Sequence, residues 1–156
     1  MPLSPGQLGC LPLLRGISDD QLQRLGAIFE PLARPEGEVL FREGAGALAF
    51  YVLTSGEVAI HEGTEVRYRL RPPAPIGELG ALAGLHRNTT AVVSERAELW
   101  KATREALLRF FAEHREVALP FYQNLVHLIG HKVGRDQIRL EDMRRNIIRT
   151  QKTMKQ

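Results

Sequence analysis

Glu78 and Arg87 have the types and spacing best suited to chemistry in this chain. Nine positions separate them, and the run Gly77-Glu78-Leu79-Gly80-Ala81-Leu82 predicts a short, glycine-flanked helical segment at the first. The first turn of a helix has backbone N–H groups without intrahelical acceptors and a positive dipole end, so it suits an anion. Arg87 can hold phosphate oxygens with two parallel, permanently charged donors. A carboxylate at 78 can accept a hydrogen bond from a sugar hydroxyl. Together these groups fit a small phosphorylated ribose. Two plainer roles stay open: a structural ion pair for Arg87, and N-terminal capping of the helix for Glu78.

The surrounding elements must position this pair. Residues 1–12 carry three prolines and two glycines and read as an irregular lead-in. Ser18 and Gln21 form a predicted capping box, and Leu22, Leu25, Ile28 and Phe29 continue it as a helical stripe that Pro31 and Pro35 end. From Leu32 to Arg71, short β-prone runs alternate with turns at Glu36-Gly37, Glu43-Gly44, Ser55-Gly56 and Glu62-Gly63, which argues for a sandwich or jelly roll. Pro72-Pro73-Ala74-Pro75 breaks the sheet, and strands resume at Thr89–Val93 and Glu98–Ala102. A helix is predicted at Arg104–Glu113, then a longer one from Val117 or Pro120, with the proline in a first turn.

The long helix carries a heptad seam. Positions 126, 133, 140, 147 and 154 are Val, Val, Leu, Ile and Met; positions 122, 129, 136, 143 and 150 are Tyr, Ile, Asp, Met and Thr. The pattern favours helix self-association, with Asp136 the clear exception. In the alternative, only the first half packs, against its own barrel. Gly130 and Gly134 interrupt the helix and read equally as a hinge or as ordinary glycines.

A length of 156 residues suits one domain, and no apolar run approaches the ~20 residues of a membrane span. The amino terminus lacks a signal peptide's basic and apolar regions, so a cytoplasmic location is expected. The single cysteine, Cys10, excludes an internal disulfide and a four-cysteine metal or iron–sulfur site. Charge collects at the end of the chain. Lys132 to Gln156 holds eight basic and three acidic residues, leaving the rest near neutral.

The block from Gly77 to Val92 resembles the phosphate-binding cassette of the cyclic-nucleotide-binding domain family, which includes catabolite-activator-type regulators, kinase regulatory subunits and nucleotide-gated channels. Leu13–Leu22 looks like the family's opening helix, Glu36–Gly44 like its first hairpin and Phe50–Val58 like its central strand pair. The resemblance covers about residues 11 to 135, in family order. It implies an α+β, mainly β fold: a double-stranded β-helix or jelly-roll barrel with a short N-terminal helix, an inserted cassette helix and a long C-terminal helix. Residues 13–134 would be the cyclic-nucleotide-binding domain, and 135–156 a basic helical extension.

The resemblance also implies roles. Arg87 would hold the cyclic phosphate and Glu78 the ribose 2′-hydroxyl. Gly77 and Leu79 would contribute backbone, and Asn88 and Thr89 would flank the phosphate or base edge. Relatives touch the purine with hydroxyl residues of the long helix. The comparable run here, His131-Lys132-Val133-Gly134-Arg135, has none; Lys132 or Arg135 could place a cation over the base, and the plainer reading of either is a solvated helix charge. The chain departs from the family at Pro73, Ile76 and His86, where a glycine, an aromatic and often a proline are usual.

The resemblance implies a cytoplasmic receptor for a cyclic nucleotide, with no cofactor; the residues do not choose between cyclic AMP and cyclic GMP, and bacterial relatives usually favour cyclic AMP. The receptor would signal by moving its C-terminal helix, as a homodimer through that helix, to an effector protein the sequence does not identify. The alternative is a degenerate fold acting as a ligand-independent interaction and dimerisation module. The chain ends where catabolite-activator relatives begin their helix-turn-helix domain, so output must pass to another protein, the tail, or a further portion. Nucleic-acid binding by the tail is disfavoured because its basic residues surround the helix without aromatic interleaving. No catalytic constellation appears, so an enzyme is not expected. His127 and His131 have metal-compatible i,i+4 spacing, but without an evident third ligand they read as surface or interface residues and no metal is expected.

Overall fold

The computed structural model describes residues 2–154. Met1 of the lead-in, Lys155 of the basic tail and Gln156 lie outside the described residues. The lead-in is not irregular: Pro5–Gly9 forms a helix (α1) with Ser4 as its N-cap. The Ser4 backbone N–H donates to Gln7 Oε1 at 3.0 Å and the Gln7 N–H donates to Ser4 Oγ at 3.3 Å, a reciprocal capping box. Leu3, Leu8 and Leu11 are thereby buried. Proline at N1 and a serine cap had marked a helix start that the proline count obscured.

The predicted capping box at Ser18 and Gln21 opens the next helix, Asp19–Gly26 (α2). Pro31 does not lie at a helix end but inside the first strand, Glu30–Arg34 (β1). It is in register with Trp100, and β1 ends the strand order beside the sixth strand, an edge position where proline is tolerated. The remaining strands are Val39–Phe41 (β2), Ala49–Glu62 (β3), Glu65–Leu70 (β4), Ala74–Ile76 (β5) and Thr90–Thr103 (β6). All pair antiparallel in one sheet of order β1-β6-β3-β4, with β2 on β6 and β5 on β3.

Two strand expectations change. Thr89–Val93 and Glu98–Ala102 are the ends of one continuous strand, β6, bent where its register with β3 shifts between Leu53 and Val58. Gly56 sits in this bend with φ +85°, and a Cβ there would lie 2.1 Å from the Arg96 carbonyl oxygen. Only glycine allows that approach, and the bulge lets two 14-residue strands curl together. The proline segment breaks the sheet only through Pro73, because Ala74–Ile76 returns to pair Leu53 with Ala74 and Tyr51 with Ile76.

Strand alternation in β3 builds two cores. Phe50 and Val52 face a helical layer with Leu13, Leu22, Phe110, Phe111 and Phe121, while Ala49, Tyr51 and Leu53 face the barrel interior with Ile60, Ile76 and Leu99. Both faces of the strand are covered, so all five residues from Ala49 to Leu53 are buried.

A short helix, Glu78–Ala83 (α3), precedes β6. The predicted helix Arg104–Glu113 (α4) follows it, capped by Thr103 Oγ1, which accepts from the Ala106 N–H at 3.1 Å. The last helix spans Arg115–Met154 (α5), starting earlier than predicted and placing Pro120 in its second turn. One helical hydrogen bond is lost there, between two side chains that anchor the segment, Val117 and Phe121, which are 1% and 0% exposed. Asn124 ties α5 to the amino-terminal layer by donating to the carbonyls of Leu13 and Arg15 at 3.0 and 2.9 Å. Leu128 and the seam residue Ile129 still pack against the helical core, half-buried, whereas the seam residues Val126, Val133, Leu140, Met143 and Ile147 are exposed.

Candidate functional site

Arg87 stands in the loop between α3 and β6, and its backbone is fastened on both sides. Its N–H donates to the Ala45 carbonyl at 2.8 Å, and its carbonyl accepts from the Gly44 N–H at 2.7 Å. The Glu43 N–H donates to Thr90 Oγ1 at 3.0 Å and closes the same loop against the start of β6. The side chain turns inward and is only 6% exposed. Nη1 donates to the Gly77 carbonyl at 2.8 Å and Nη2 to the Ala49 carbonyl at 2.5 Å. The guanidinium carbon lies 4.1 Å from the centroid of the Phe41 ring, which stacks on Tyr51.

This is a buried cation without a counter-ion. Among the described residues no carboxylate lies within ion-pair distance of Arg87, and its Nε is buried with no hydrogen-bond partner. Burial pulls the guanidinium below its ordinary pKa, while Tyr51 and then Glu78 oppose that pull. Burial likewise raises the Tyr51 phenol, with Arg87 opposing. A permanently charged group held only by carbonyl dipoles and an aromatic face is suited to an incoming anion.

Gly77 makes the arrangement possible. It takes φ +75° at the start of α3, and the space a Cβ would fill is occupied by Arg87 Nη1. Glu78 follows and reaches toward α5, where its Oε1 is 3.4 Å from Lys132 Nζ. The structure therefore brings Gly77, Glu78, Arg87 and Lys132 together. Lys132 meets the cassette carboxylate, 54 residues away in sequence. Leu79 and Thr89 are half-buried beside the group; Asn88 and Arg135 are exposed.

Three contributors escaped the sequence reading. Phe41 and Tyr51 have the pattern of strand core residues, and the Ala49 carbonyl has no signal of its own. The aromatic pair was findable in part: alternation puts Tyr51 on the same face of β3 as Ala49, and Phe41 ends the strand leading into the Gly44 turn.

Residues 32–114, more than half of the chain, match the family described as the cyclic nucleotide-binding domain. The chain belongs to the cyclic nucleotide-binding domain family. This is a regulatory rather than a catalytic family. The acetyltransferase Pat of Mycolicibacterium smegmatis is 31% identical over 103 residues, covering 64% of this chain and 31% of that protein. The catabolite activator protein of Thermus thermophilus superposes with a TM-score of 0.74 at 24% identity, over 84% of this chain and 62% of that one. The N-terminal domain of a transcriptional regulator from Streptomyces coelicolor gives a TM-score of 0.74 at 23% identity, over 80% and 93%. At these identities the structural likeness establishes the jelly-roll fold of the cyclic nucleotide-binding domain, with its cassette helix and long C-terminal helix. The chain spans less than a third of the acetyltransferase. Among the described residues no helix is long and apolar enough to cross a membrane.

Proposed function

We propose that this chain is a cyclic-nucleotide receptor domain, with cyclic AMP as its first candidate ligand, that signals by moving α5. The observation that carries the reading is Arg87: a buried guanidinium with an unpartnered Nε and no carboxylate, beside the start of α3. A cyclic phosphate would supply the missing negative charge. Glu78, the first residue of α3, would exchange Lys132 for a ribose hydroxyl. That exchange supports coupling, because the group Glu78 would release belongs to α5.

In this reading the exposed seam of α5 joins two copies of the chain, and the output passes to an effector protein in the cytoplasm. The chain itself performs no catalysis. The acetyltransferase relative suggests one kind of arrangement, a regulatory domain accompanying a catalytic one.

A second reading is favoured by one observation. Arg87 already donates to the carbonyls of Gly77 and Ala49, so its charge also serves the scaffold. On that reading the domain is a ligand-independent interaction and dimerisation module. Calorimetric titration with cyclic AMP and cyclic GMP separates the two: saturable binding supports the receptor, and no heat into the millimolar range supports the module.

A further inference from the structure

His127 and His131 face each other one turn apart on α5. Their Nε2 atoms are 3.2 Å apart, with ring centroids separated by 4.7 Å and planes crossing at 81°. Both residues are exposed. Two imidazole nitrogens bound to one zinc-like ion at about 2.0–2.1 Å lie about 2.9 Å apart at a right angle and about 3.4 Å apart at the tetrahedral angle. The observed separation falls between these limits. Without an ion, the pair can satisfy only one N–H···N bond; with one, both lone pairs are used. The nitrogens converge only while the turn is helical, because residues four apart then share a face.

The geometry points to a surface site for a divalent late-transition ion of the zinc or nickel class, chelated by His127 and His131. Imidazole nitrogen selects such ions over magnesium and calcium. Among the described residues no third histidine, cysteine or acidic group joins the pair, so water completes the coordination and the ion exchanges readily. The positive charge nearest in sequence, Lys132, is engaged by Glu78 at 3.4 Å. Gly130 lies within the chelated turn. Glycine weakens a helix interior relative to alanine, and the ion clips together the turn that glycine loosens. The histidine pair would hold the ion with or without a bound nucleotide.

The test uses the full chain, free of metal and of any histidine tag, titrated calorimetrically and by thermal melting with zinc chloride and nickel chloride, with magnesium chloride as control. Expected are one zinc or nickel ion per chain, a raised melting temperature and no response to magnesium. His127→Ala and His131→Ala should each weaken binding at least about tenfold, while His114→Ala, distant on the chain, leaves it unchanged. Both key variants alter exposed positions, and circular dichroism verifies their fold. Hydrogen exchange across 127–131 should slow on adding zinc to the parent chain. Unaltered zinc affinity in both variants, or no binding by the parent chain into the millimolar range, overturns the site.

Discussion

A Cβ on residue 77 would lie 2.2 Å from Arg87 Nη1, so the glycine at 77 and the guanidinium of residue 87 share one volume. The left-handed turn at Gly77 also directs its carbonyl to that same nitrogen. Substitution at 77 therefore acts on the arginine. Gly77→Ala should destabilise the fold by about 1–3 kcal/mol through backbone strain and displacement of the guanidinium. Denaturant unfolding measures this, and nucleotide titration of the folded variant should show lost binding.

Arg87→Ala removes the charged donors to the Gly77 and Ala49 carbonyls. Charge-assisted hydrogen bonds contribute roughly 1.5–3 kcal/mol, so the variant should lose stability of that order, partly offset because a buried unpaired charge also disappears. Arg87→Lys should not restore nucleotide binding, since an ammonium cannot reproduce the two-pronged contact. Unfolding curves and titrations on both variants check this.

In the proposed receptor reading, Lys132 competes with the ligand for Glu78. The lysine is about half exposed, and such a pair contributes at most about 1 kcal/mol. Lys132→Ala should therefore tighten nucleotide binding by about two- to fivefold. A marked weakening would instead show that the lysine contacts the bound ligand.

Glu57 tests the scaffold at the bend where β3 and β6 shift register. It accepts from Ser94 Oγ at 2.8 Å and Arg69 Nη1 at 3.0 Å, and pairs with Arg71 Nη2 at 2.7 Å. The Ser94 hydroxyl first, then Arg69, hold its carboxyl below the usual value of 4.5. The folded state thus keeps the charge to lower pH than the unfolded chain does. Its stabilisation is complete above pH 4.5 and fades as pH falls through the folded value. Glu57→Gln should be less stable at neutral pH and lose less on acidification, measured as melting temperature against pH.

The seam on α5 predicts self-association. Leu140→Asp and Ile147→Asp place charges at 65% and 56% exposed seam positions. Each should shift sedimentation toward the monomer without lowering the melting temperature of the barrel.

Local signals made much of this legible. Ser18 with Gln21 fixed a helix start, and the Gly77, Glu78 and Arg87 spacing located the cassette. Features made by distant pairings were not legible. Nothing local states that Lys132 lands on Glu78, that the Ala49 carbonyl receives Arg87, or that β6 bends at a bulge instead of ending. Pro31 misled for the same reason, because a proline is a breaker or a tolerated edge residue depending on which strand lies beside it.

The most direct test of the receptor reading is calorimetric titration of the chain with cyclic AMP and cyclic GMP, beside the Arg87→Ala variant. The reading predicts saturable binding of one nucleotide per chain that disappears in the variant. No heat from either nucleotide into the millimolar range, or equal binding by the variant, would contradict it.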